Sequence, residues 1–146
     1  MISLTGTKAV SLIGTVLSAN GIANSGNVLI NGGAKFTSQQ STISAAGGVS
    51  LNSGTIQVDA RTVTLTDSTL TTSTSGGPGT VGGHITMNAK NMTLTNSQIL
   101  STATEGHGGT IDFTSPIFHQ DAGSVIDASS QIGTNGTVTI NGVIQP

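Results

Sequence analysis

One short pattern, small–x–aliphatic–x–small, returns five times along this chain at nearly constant spacing, and a repeat of that kind limits the fold more than any other feature. With a slip in one copy it reads Thr15-Val16-Leu17-Ser18-Ala19, Ser41-Thr42-Ile43-Ser44-Ala45, Ser68-Thr69-Leu70-Thr71-Thr72, Ser97-Gln98-Ile99-Leu100-Ser101 and Ser124-Val125-Ile126-Asp127-Ala128. Its centres, Leu17, Ile43, Leu70, Ile99 and Ile126, lie 26, 27, 29 and 27 residues apart. A second pattern alternates apolar with polar residues, usually after a glycine: Ile2/Leu4, Val28/Ile30, Ile56/Val58, Ile85/Met87, Ile111/Phe113 and Val138/Ile140. Its intervals are 26, 28, 29, 26 and 27, the same period. Between the two lies a third element, Val10/Leu12, Ala34/Phe36, Val63/Leu65 and Met92/Leu94, with Ile117-Phe118 a looser match. Val49/Leu51 alternates too but has no counterpart, and reads as a connecting segment.

Alternation of period two over four to six residues marks strands with one buried face. No amphipathic helical period persists, and the pairs Gly32-Gly33, Gly47-Gly48, Gly76-Gly77, Gly82-Gly83 and Gly108-Gly109 punctuate the chain as turns. Three strands per period fit either antiparallel meanders or one turn of a parallel solenoid. The regularity decides for the solenoid, because there each strand pairs with its own equivalent one coil away, about 4.8 Å distant, so equivalent side chains must be alike. Leu17, Ile43, Leu70, Ile99 and Ile126 then form an inward aliphatic column. The residue after the alternating strand reads Thr5, Asn31, Asp59, Asn88, Thr114, Asn141, a polar column at a corner. The expected fold is all-β, a right-handed parallel β-helix of five to six coils with three short strands each, forming a single domain over residues 1–146.

Composition agrees and removes several function classes. Three Phe with no Trp or Tyr leave a thin aliphatic core, and only 7% of residues are charged. Disorder by low hydrophobicity and high charge is excluded by the interleaved Val, Ile and Leu. The four basic residues, Lys8, Lys35, Arg61 and Lys90, are spread singly in a chain of net charge -2, which argues against nucleic acid as partner. Cysteine is absent, so disulfides and thiolate metal sites are impossible. No stretch approaches the ~20 apolar residues that span a bilayer. The run from Ala9 to Leu17 is superficially like a signal peptide, but Ser and Thr interrupt it and it falls into register with the repeats, so it reads as the first coil.

At Gly82-Gly83-His84-Ile85-Thr86-Met87-Asn88-Ala89, at Met92-Thr93-Leu94-Thr95-Asn96-Ser97-Gln98-Ile99 and at Gly108-Gly109-Thr110-Ile111-Asp112-Phe113 the sequence resembles the repeat region of filamentous-haemagglutinin-like adhesins, the exoproteins of bacterial two-partner secretion. The stretch Ser124 to Ser130 with Gly136 to Ile140 is similar to coils near the end of such rods. The resemblance implies an extracellular rod, exported unfolded through a partner outer-membrane transporter and displayed at the cell surface toward host or neighbouring cells. The Asn-Pro motif of the family's secretion domain is absent, the prolines being Pro78, Pro116 and Pro146, so the likeness is to the rod region.

Other β-helices cleave polysaccharides with clustered carboxylates beside a basic residue. The nearest approach here is Asp59, Arg61 and Asp67, while Asp112, Asp121 and Asp127 fall on separate segments. Of His84, His107 and His119, the turn residues His84 and His107, the latter near Glu105, could meet across coils as a weak metal site, but turn histidines on the surface are the plainer reading. The calcium nonapeptide Gly-Gly-x-Gly-x-Asp and the glycine elbow around a nucleophilic Ser are absent. Asn91-Met92-Thr93 and Asn135-Gly136-Thr137 match the glycosylation pattern, as Asn/Thr-rich sequence does by chance. Outward Thr62-Val63-Thr64-Leu65-Thr66 and Thr93-Leu94-Thr95 raise an ice-binding alternative, against which stand Ser11-Leu12-Ile13, Lys35-Phe36-Thr37 and Phe118-His119-Gln120 on other coils. The expectation is a non-enzymatic structural or adhesive rod with no catalytic, cofactor or metal residues. With no amphipathic cap on Met1-Ile2-Ser3-Leu4 or Val143-Ile144-Gln145-Pro146, its ends are expected either to be continued by further sequence or to self-associate end to end with another copy.

Overall fold

The computed structural model describes residues 1–21, 25–48 and 52–145; Val49/Leu51 and Pro146 lie outside them. It is an all-β parallel solenoid of about five turns with no helix among the described residues. The first turn carries β1 (Ile2–Thr5), β2 (Ala9–Ile13) and β3 (Val16–Ser18), and the second carries β4 (Asn27–Gln39) and β5 (Thr42–Ser44). The third holds β6 (Thr55–Thr66) and β7 (Thr69–Thr71), and the fourth β8 (His84–Asn88), β9 (Asn91–Thr95) and β10 (Gln98–Leu100). The fifth holds β11 (Thr110–Gln120) and β12 (Val125–Asp127), and β13 (Thr137–Gln145) lies on β11 as the start of another turn. The residues that resemble a signal peptide are β2 and β3, in register with the next coil.

The three expected strands per coil are not always separate. In β4, β6, β11 and β13 the first two run together through a corner, with register shifts at Asn31/Gly33 and Thr114/Ile117. They form one eight-stranded sheet along β1-β4-β6-β8-β11-β13, with β2 and β9 joined to it, while the third strands stack as β12-β10-β7-β5-β3. The remaining side carries isolated bridges, Gly21 to Gly47 to Thr74 to Ala103 to Ser130.

Register places the aliphatic column as expected: Leu17 meets Ile43, Ile43 Leu70, Leu70 Ile99 and Ile99 Ile126. Ile43, Leu70 and Ile99 are fully buried, and Leu17 and Ile126 partly so, each having a neighbouring coil on one side only. One assignment is corrected. Ala34 is exposed, and the pair opposite Val63/Leu65 is Phe36/Ser38. Hydropathy places the alternation two residues early because the second inward residue, Ser38, is polar. Ser38 is nonetheless buried, and its hydroxyl bonds that of Ser68 at 3.0 Å. Ile117 faces out, and Phe118 turns in to meet Phe113 with ring centroids 5.8 Å apart.

Hydroxyls finish what the thin core leaves undone. Ser41, Ser68 and Ser97 each bond the carbonyl two residues back at 2.9 Å, and each hydroxyl oxygen accepts the backbone N–H of the equivalent residue in the preceding coil. Ser124 accepts from Ser97 N at 3.0 Å in the same way. The residues before Thr15, Ser41, Ser68 and Ser97, namely Gly14, Gln40, Asp67 and Asn96, turn the corner at φ between 46° and 56°. Ser97→Ala removes the partner of the buried Ser68 N–H, and is expected to cost ~1–3 kcal/mol, the penalty for an unmet buried donor, in a urea titration. Ser97→Thr keeps the hydroxyl and is expected to recover part of the loss.

Each coil closes by a second column. The amides of Gly26, Gly54, Gly83, Gly109 and Gly136 donate to the carbonyls of Ala19, Ala45, Thr72, Ser101 and Ala128, at 2.7–2.8 Å. Only glycine fits, since a Cβ on Gly54 or Gly83 would overlap the carbonyl oxygen of the glycine one coil before. Between the closing residues the loops differ in length, and they account for most of the drift of the period between 26 and 29 residues.

Candidate functional site

The polar corner column pairs in register as Thr5, Asn31, Asp59, Asn88, Thr114 and Asn141. Asn88 Nδ2 donates to Asp59 Oδ1 and Gln57 Nε2 to Asp59 Oδ2, both at 2.8 Å, so the carboxylate holds two neighbouring side chains. Arg61 forms no ion pair with it. Asp67, on the opposite corner, accepts from Asn96 Nδ2 at 2.6 Å. Asp127 accepts Ser129 N at 2.8 Å. The three residues Asp59, Arg61 and Asp67 therefore do not converge, and each aspartate is engaged in local structure.

Asp121 closes the serine column. Its Oδ1 accepts the Ser124 hydroxyl at 2.6 Å, and both its oxygens accept Asn96 N at 3.1 Å. These bonds, led by that of Ser124, hold its pKa below the ordinary 3.8. Because the folded value is the lower one, the stabilisation is complete above pH 3.8 and is lost as pH falls through the folded value. The unfolding midpoint is expected to drop in that acid range, and Asp121→Asn, which starts lower near neutrality, is expected to flatten the drop. Equal acid sensitivity of the two proteins would contradict this role.

The histidines lie on three different sides. His84 bonds Asp112 Oδ2 through Nε2 at 2.9 Å on the first half of the large sheet, both side chains standing well exposed. His107 bridges to Val81 among the loops, and its Nδ1 accepts Thr134 N at 3.3 Å. His119 pairs with Thr93 on the second half of the large sheet. Among the described residues no group of three His, Cys, Asp or Glu could hold a metal ion. Asn91 is exposed at the start of β9, and Asn135 accepts Ser130 N at 2.9 Å. No helix of the described residues is long and apolar enough to cross a membrane.

The threonine rows Thr62, Thr64, Thr66 and Asn91, Thr93, Thr95 lie side by side. The coils around them put Lys35, Thr37 and Gln39, then Ala9, Ser11 and Ile13, at the same places. Beyond Asn91 and Thr93 come Ile117 and His119. The regular array extends over two coils.

What the sequence reading missed is the place of the cations. Ala9 pairs with Lys35, Lys35 with Thr62 and Thr62 with Asn91, so Lys8, Lys35, Arg61 and Lys90 follow one another along a single corner, all exposed. Spread singly along the chain, they are gathered in space by the period. Their places relative to the polar corner column, two to four residues after it, were the signal available in the sequence.

No family model, curated protein or solved structure matches the chain. Its reading rests on its own geometry.

Proposed function

We propose that the chain is a non-enzymatic structural and adhesive rod of a secreted or surface-exposed bacterial exoprotein. The observation that carries this reading is where its polar groups go: the buried hydroxyls and the aspartates of the corners bond neighbouring coils instead of converging on a reacting atom. A molecule whose polar side chains hold up its own repeat is suited to length and display. Export through a partner outer-membrane transporter belongs to the same reading, supported by the residues that resemble two-partner secretion exoproteins.

End-to-end association is part of the proposal. The outermost described strands β1 and β13 have a parallel neighbour on one side only, and Val143 and Ile144 on β13 are each 61% exposed. Another coil, from a second copy, would cover them in the same register. Light scattering at rising concentration is expected to show growing linear species, and a monodisperse monomer at high concentration would rule this out.

Beads coated with the chain are expected to be retained on bacterial or host cell surfaces, with no unsaturated or reducing ends released from pectin, alginate or chondroitin. Turnover that vanishes in Asp59→Ala or Asp127→Ala would replace this reading with an enzyme. Clear thermal hysteresis in a freezing assay would replace it with ice binding.

A further inference from the structure

We infer that the corner row Lys8, Lys35, Arg61 and Lys90 is a binding edge for a linear acidic polysaccharide, one whose carboxylates recur along an extended backbone. Every lysine and arginine of the chain stands in this row. Successive coils are ~4.8 Å apart, so the row runs about 14 Å along the rod axis, with Lys35 one residue out of line with Lys8, Arg61 and Lys90. None of the four side chains has an ion pair or side-chain hydrogen bond among the described residues. Five of the six carboxylates, Asp67, Glu105, Asp112, Asp121 and Asp127, stand elsewhere in the sequence and the fold, and the sixth, Asp59, is occupied by Gln57 and Asn88. The backbone under the row is fixed by Lys90 N donating to Arg61 O at 2.8 Å and Ile117 N to Lys90 O at 3.2 Å. It is a line of cations without ion pairs, on a backbone held in register, in a protein of net charge -2, with Asp59 the one carboxylate near it.

The surroundings choose among polyanions. All three Phe are fully buried and there is no Trp or Tyr, so no ring is offered for bases to stack on, as single-stranded nucleic acid requires. A membrane surface calls for apolar side chains alongside the basic ones. Beside this row stand Thr7, Asn31, Thr62 and Asn91, whose hydroxyls and amides suit sugar hydroxyls, and a large exposed apolar side chain, Ile117, adjoins it at the Lys90 end.

The inference rests on the adhesive reading only in naming what is bound, and the test separates the two. The chain is titrated with polygalacturonate oligomers, with dextran as the neutral control and with phosphatidylglycerol vesicles. Polygalacturonate is expected to bind and dextran not. Release of counterions by four cations predicts an affinity loss on the order of 50-fold between ~50 and ~200 mM salt. The quadruple change Lys8→Gln, Lys35→Gln, Arg61→Gln and Lys90→Gln is expected to weaken binding at least tenfold with an unchanged circular dichroism melt. Adding Val16→Lys, Thr42→Lys, Gln98→Lys and Val125→Lys to it, on the outer face of the small sheet, restores net charge but is expected not to restore binding. Absence of binding by the native chain, equal binding by the quadruple variant, recovery with the relocated lysines, or preference for the vesicles would each overturn the inference. Cell retention of beads carrying the quadruple variant, undiminished, would leave adhesion standing and remove this edge from it.

Discussion

Ile99→Asp is expected to unfold the rod, while Thr93→Asp, six residues earlier on the outer surface, leaves it folded. Ile99 is fully buried between Leu70 and Ile126, one coil to either side. A carboxylate there has no cation and no spare donor within the core, and burying it, or protonating it to avoid that, costs several kcal/mol. That is a large share of the roughly 5–15 kcal/mol that holds a domain together. Thr93 stands on the outer face of β9 beside Thr64 and His119, where a new charge stays in water and the cost is ~0.5 kcal/mol or less. Ile99→Val removes one methylene and is expected to cost ~0.5–1.5 kcal/mol, which separates loss of volume from burial of charge. Urea denaturation of the three variants reads all three effects; equal tolerance of the two aspartates would contradict the inward column.

The second large effect is expected from a single added methyl group. In Gly83→Ala the new Cβ would overlap the carbonyl oxygen of Gly54 and stand 2.8 Å from the Thr72 Cβ. Neither is the free end of a flexible side chain. The coils must part at the point where Gly83 N donates to Thr72 O and His84 N to Gly54 O. Overpacking of this kind costs 1–3 kcal/mol and occasionally more, and with the closing bonds also strained the expected loss is about 3 kcal/mol. Gly77→Ala is the matched control, because the nearest atom to its added Cβ is Glu105 Oε2 at 3.8 Å. It is expected to be neutral or slightly stabilising through the unfolded chain, by ~0.5 kcal/mol. Similar urea midpoints for the two alanine variants would mean that the glycine column does not close the coils.

The stacking was legible because it forces equivalent residues to be alike. The columns through Leu17 and Ile99 and through Asn31 and Asn88 could be read from spacing alone, and register bears both out. Legibility ended where an inward residue is polar. Ser38 occupies a core position because Ser68 receives its hydroxyl, and no hydropathy pattern marks such a pair. The fusion of two strands through the corner in β4, β6 and β11 was also hidden, since the bend is made by register shifts and not by an obvious turn sequence. The serine and glycine columns were visible as recurring residue types, but their work depends on which amide faces which oxygen. The basic row was hidden differently: its members are far apart in sequence, and only the coil period brings them together. The Asp59, Arg61 and Asp67 grouping is the converse, close in sequence and divided by the fold between two corners.

The most direct test of in-register stacking is a set of spin-label distances along one outward column. Ser11, Thr37, Thr64, Thr93 and His119 are successive partners in register, and a chain without cysteine allows paired labels at introduced cysteines with no background. Backbone separations from position 11 are expected to rise in equal steps of ~4.8 Å, reaching about 19 Å at position 119. Separations that fail to grow with each coil, with position 119 as near to position 11 as position 37 is, would contradict the solenoid and every column built on it.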